Sequence, residues 1–106
     1  MSKEDEKKAV ALGKSEMEKR LAALRHQTFD ELAALPDHKT DNFKSGKYEV
    51  KVTTYRDNLD DDVLQVAVQW YFRIRLGFGQ IGADGFTITR ENVVRDMEEK
   101  ALYEFM

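Results

Sequence analysis

The sequence contains no cysteine among its 106 residues. Disulfides, thiol nucleophiles and thiolate metal sites are therefore excluded together, and with them any zinc ribbon or redox pair. It also lacks a long apolar run. The start, MSKEDEKKAVALGK, is charged from its third residue, and the ~18 successive apolar residues of a membrane span occur nowhere. These features predict a cytoplasmic protein, present whole. There is no basic excess either: Lys and Arg total 17 against 20 Asp and Glu, a formal charge of -3. Such a field does not draw in phosphate backbones or anionic membranes, so neither nucleic acid nor membrane is expected as a partner.

Residues that carry chemistry are scarce. His26 and His38 are the only histidines, and neither stands in the His-x-x-x-His or His-x-x-Glu spacing that brings metal ligands together on a helix. Of the three serines, Ser2, Ser15 and Ser45, only Ser45 lies near a histidine in sequence. Carboxylates are abundant because the chain is acidic, so no pair stands out as an acid and a base. No catalytic residue, metal or cofactor is predicted.

What is present suffices for one α+β domain: 42% of residues are hydrophobic and 10% aromatic. Val10, Met17, Leu21 and Leu24 fall on one narrow stripe and predict a helix over 1–26, fraying through residue 8, with Glu4–Lys8 and Glu16–Arg20 as i,i+4 pairs. The letters TFDE at Thr28 form a capping box for a short second helix, which Pro36 ends. The polar run from Asp37 to Lys47 reads as a loop.

From Tyr48 the period becomes two. Tyr48, Val50 and Val52 share one face, and in the next strand Leu64, Val66, Val68, Trp70, Phe72, Ile74 and Leu76 take the even positions. Asp57 to Asp62 reads as a hairpin connection crowded with carboxylates and without a local cation, and lacks the glycine and glutamate of a calcium loop. Asp84-Gly85 reads as a turn before a strand at Phe86–Thr89. The ending divides in two ways: Asp96 caps a helix, or Thr89 caps a longer one. The reading adopted is a short strand over Val93 to Arg95 and a helix from Met97. Together these elements predict an antiparallel sheet of three or four strands, with one face covered by the N-terminal and C-terminal helices. Trp70, Tyr103 and Phe105 are expected in the core.

The stretch LGFGQIGADG, Leu76 to Gly85, spells G-x-G-x-x-G. A dinucleotide loop needs a helix after those glycines, whose amides hold the pyrophosphate. Here a turn and a strand are predicted instead. An RNA-binding signature of the RRM kind fits no better, because Leu76, Gln80 and Ala83 replace its basic and stacking residues. The glycines are better explained by the sheet: Gly77 and Gly79 continue the polar face of the long strand, and Gly82 permits a bulge or bend.

The best functional candidates lie on the odd-numbered face, where Gln69, Tyr71, Arg73 and Arg75 fall beside Lys51 and Tyr55. Tyr and Arg combine broad contact area with directional hydrogen bonds, the chemistry that protein interfaces favour. This face, or the N-terminal helix, predicts a small interaction module that forms a homodimer or binds another protein. The alternative is a small-molecule binder or minor enzyme, with a cone-shaped pocket between helix and sheet. Its order of elements is similar to the cystatin-like and nuclear-transport-factor-like families.

From Thr28 onward, the stretches TFDELAALPD, TTYRDNL, ADGF and EEKALYEF resemble small uncharacterised bacterial α+β proteins, including some carried on mobile gene cassettes. That resemblance implies a stand-alone bacterial cytoplasmic protein. It carries over no active site.

Overall fold

The computed structural model describes residues 3–75 and 78–106. A long helix α1 (Lys3–Arg25) and a short helix α2 (Phe29–Ala33) precede five strands: β1 (His38–Ser45), β2 (Tyr48–Asp60), β3 (Val63–Arg75), β4 (Phe78–Thr89) and β5 (Val94–Asp96). A one-turn helix α3 (Glu99–Leu102) and a 3-10 turn (Tyr103–Phe105) follow. The sheet is an antiparallel meander in the order β1-β2-β3-β4-β5. The protein is thus α+β, with α1 packed on one face of a five-stranded sheet.

The core forms where α1 crosses the even-numbered side chains of β2, β3 and β4. Val50, Val52, Leu64, Val66, Val68, Phe72, Phe86 and Ile88 are all buried there, with Trp70. Each aliphatic or aromatic side chain so buried contributes about 1.5–3 kcal/mol. The helix reaches this layer through small residues: Ala9 and Gly13 are buried along with Leu21 and Leu24. A side chain at Gly13 would come within 2.8 Å of the Trp70 ring, so Gly13 marks a close approach of helix to sheet. At its other end α1 uses charge: Arg20 pairs with Asp41 and donates to Thr54, whereas Glu16 pairs with Lys19. The expected Glu16–Arg20 pair gives way to this bond across to the sheet.

Local signals account for the start of α2. Thr28 accepts from the Glu31 amide at 3.2 Å, the Glu31 carboxylate accepts from the Thr28 amide at 2.9 Å, and the Asn92 side chain accepts from the Phe29 amide at 2.8 Å. Asn92 reaches it from a left-handed backbone conformation, φ 66°, in the β4–β5 turn.

Several expectations change. The sheet has five strands rather than three or four, because the polar run after Asp37 is a strand. β1 pairs with β2 along its whole length, from His38↔Tyr55 to Ser45↔Tyr48, and Thr40 and Thr53 share a hydroxyl hydrogen bond of 2.8 Å. Backbone pairing suffices for an edge strand whose side chains mostly meet water. The carboxylate-rich connection is mostly strand as well, and it has a cation: Arg90 arrives from the end of β4 to bind Asp62 at 2.8 Å.

No turn interrupts β4 at Asp84-Gly85, which pair with Val68 and Ala67. Gly82 sits in regular pairing with Trp70, and a side chain there would overlap the indole. The register shift falls instead at Arg73/Arg75. The strand after the turn is Val94–Asp96, and α3 begins at Glu99. Leu76 and Gly77, assigned to the long strand by alternation, lie outside the described residues.

The C-terminal helix does not share the face covered by α1. After β5, the Met97 amide donates to the Gly85 carbonyl at 3.3 Å, and the chain then crosses the odd-numbered face. Trp70 is core as expected. Tyr103 is 61% exposed and Phe105 half-buried, because their segment lies over the open side of the sheet.

Candidate functional site

The odd-numbered face consists of cross-strand rows set by the register. One row runs His38–Tyr55–Ala67–Gly85, the next Thr40–Thr53–Gln69–Ala83, and the next Asn42–Lys51–Tyr71–Ile81. The C-terminal segment divides these rows. Met97 is buried against Gly85, since a side chain at Gly85 would meet the Met97 sulfur at 2.6 Å. The Phe105 ring lies 5.2 Å from that of Tyr55, and the Gln69 amide donates to the Phe105 carbonyl. Gln65 is consequently only 8% exposed and Ala67 fully buried.

The six candidate residues therefore separate. Tyr55 and Gln69 hold the C-terminal segment. Lys51 and Arg73 are exposed and Tyr71 is half-buried, on the part of the face that this segment leaves open. Arg75 stands apart: past the register shift, its guanidinium lies 5.1 Å over the Phe78 ring. These two border a cleft of about 250 Å³ together with Glu6 and Ile74, residues of the helix side.

On the open part, Lys51 faces Tyr71 across the β2–β3 pair, and Lys44 faces Glu49 across β1–β2. The Tyr71 ring lies over Gly79, where a side chain would come within 2.8 Å of its Cε1 atom. A glycine beneath an aromatic ring protects the strand backbone and holds the ring flat. The result is an aromatic surface flanked by three cations, Lys44, Lys51 and Arg73, with one carboxylate, Glu49, among them, an area of net positive charge on a chain of net charge -3.

Two residues of this neighbourhood escaped the reading by periodicity. Phe78 is 62% exposed and Ile81 37%, both on β4, where β5 covers only Phe86 to Ile88. The signal available was the absence of charge from Leu76 to Ala83.

Space for a small ligand lies at the periphery. A cleft of about 300 Å³ is bordered by Arg20, Leu24, Leu35, Pro36, Lys39 and Asp41, and one of about 510 Å³ runs beside β4. Among the described residues, no three His, Asp or Glu side chains converge as metal ligands. Gly79 and Gly82 lie within a strand paired to β3, with no helix opening after them. Among the described residues, no helix is long and apolar enough to cross a membrane. Comparison with protein families, curated proteins and solved structures finds no match.

Proposed function

We propose that this chain is a small, self-associating protein-interaction module that presents the open part of its sheet face to a protein partner. The reading rests on one observation: the C-terminal segment covers the sheet from Gln69 toward Gln65 and leaves Lys51, Tyr71 and Arg73 uncovered. Tyr71 supplies a broad apolar surface with a hydroxyl, and the flanking cations add charge-assisted hydrogen bonds. The chemistry fits an acidic partner surface with an exposed apolar side chain.

The N-terminal helix is the weaker candidate, because its buried stripe is used on its own sheet. The absence of cysteine suits work in the reducing interior of a bacterial cell. No catalytic step is assigned.

The test begins with the native mass of the protein isolated gently from its host. A heavier species containing a second protein is expected, and Tyr71→Ala with Arg73→Ala should weaken that complex roughly 30-fold or more, as for a pair of central contacts. Arg73 is exposed and Tyr71, half-buried over Gly79, lies outside the core, so unchanged far-UV circular dichroism should accompany the loss. An unchanged complex in the double variant would remove the face from consideration.

A further inference from the structure

The free edge of β4 has a geometry that only some partners can satisfy. Strand β5 covers β4 from Phe86 to Ile88 and leaves Phe78 to Gly85 as an edge. The backbone there has a fixed polarity. The Thr89 amide donates to Val93 and the Gly85 carbonyl accepts from Met97, both toward β5, whereas the Arg90 amide donates to Asp62 on the β3 side. Pairing with β3 is regular from Gly79 to Thr89, so the odd-numbered residues of β4 aim their amide and carbonyl groups outward. At Gly85 these groups are already used, the amide by the Asp84 carboxylate at 2.8 Å and the carbonyl by Met97. Those of Gly79, Ile81 and Ala83 point the same way, beyond the stretch that pairs with β5.

We propose that this edge pairs with the β4 edge of a second copy, antiparallel, about a twofold axis at Ile81. The inference deepens the self-association named above by giving it an interface. A single register meets every requirement. Centred on Ile81, each Ile81 exchanges both hydrogen bonds with its counterpart, and Gly79 exchanges both with the second copy's Ala83. A register centred one residue later sets Gly79 against the occupied Gly85; one centred earlier leaves Ala83 without a described counterpart. Because side chains opposite each other share a face, the α1 sides and the open faces of the two sheets each become continuous.

The side chains agree with this register. From Phe78 to Ala83 the edge has no charge, so self-pairing opposes no like charges. At its ends Phe78, with the Arg75 guanidinium over it, comes opposite the second copy's Asp84, which joins opposite charges across the axis. Ile81 meets Ile81 on the open face. Gln80 comes opposite Gly82, beside the cleft of about 510 Å³ bordered by Val10, Met17, Trp70 and Met106. The other edge of the sheet differs: β1 carries Lys39, Asp41 and Lys44, the charges by which edge strands resist pairing. One edge is protected and the other is self-complementary.

The chain has no cysteine, so a single introduced one reports the contact without interference. Across a hydrogen-bonded pair the Cα atoms stand about 5.5 Å apart, within the range a disulfide spans. Ile81→Cys, incubated with a mild oxidant, should convert mostly to a covalent dimer, while Asn42→Cys on the β1 edge stays a monomer under the same conditions. In a companion variant, Ile81→Lys, two like charges meet at the axis. Its dimer dissociation constant, measured by sedimentation, should rise roughly tenfold with circular dichroism unchanged. If the unmodified chain is a dimer but Ile81→Cys cross-links no faster than Asn42→Cys, this interface is wrong and self-association by another surface stands. A purified chain that remains a monomer at micromolar concentration overturns both, and leaves the partner-binding face to its own test.

Discussion

Tyr48 carries the one side-chain polar atom among the described residues that is buried without a hydrogen-bond partner, its hydroxyl. Its ring is held 5.1 Å from that of Phe72, with the Lys47 ammonium 5.4 Å from its centre. Burial first, and then the nearby Glu6 and Asp5 carboxylates, raise its pKa above the ordinary tyrosine value. The folded state thus keeps a proton that the unfolded chain releases. Its contribution to stability is complete below about pH 10 and is lost as pH rises through the raised value. Tyr48→Phe removes both the unpaired hydroxyl and the titration. It should raise the melting temperature at neutral pH and flatten the loss of stability above about pH 10, as read from urea midpoints on either side; equal alkaline losses in the two proteins would refute this account. Alternation placed Tyr48 on the buried face from sequence, but not its lack of a partner, which depends on where α1 passes.

At the scale of elements, the strands with apolar alternation, β2 and β3, were legible because burial on one face writes period two into the sequence. β1 was not, since an edge strand needs only backbone pairing and its residues read as polar loop. β4 was obscured by glycines that mimic a turn, although Gly82 leaves room for Trp70 and Gly85 for Met97. The candidate face was half legible: alternation named Lys51, Tyr71 and Arg73, but not the segment that covers Tyr55 and Gln69. That segment was assigned to the wrong side because its apolar residues fit either surface. Removing residues 97–106 should leave the sheet folded, expose Gln65 and Ala67, and lower stability by about 1.5–3 kcal/mol for the loss of Met97 alone. Chemical denaturation of the shortened chain measures this. A loss near zero would mean that the segment does not hold Met97 against the sheet.

Viewed whole, the molecule extends 49 Å along its longest axis, and α1 and the sheet share one core that includes Trp70. Helix and sheet should therefore unfold together. The chain has a single tryptophan, so its fluorescence and the far-UV signal of the helix should trace one urea transition, whereas separate midpoints would show α1 undocking independently. The meander order has a further effect on how this state is reached. Every strand pairs with its neighbour in sequence, so each pairing is a hairpin closing through a short loop, the kind of contact that forms early. The helix is the exception. It is synthesised before the sheet, yet the ring beneath Gly13 belongs to β3, and Trp70 follows Arg25 by 45 residues. At about 5–20 residues per second, the ribosome leaves the helix without that partner for roughly 2 to 9 seconds. A stripe built partly from Ala9 and Gly13 offers other nascent chains little to grip during that interval.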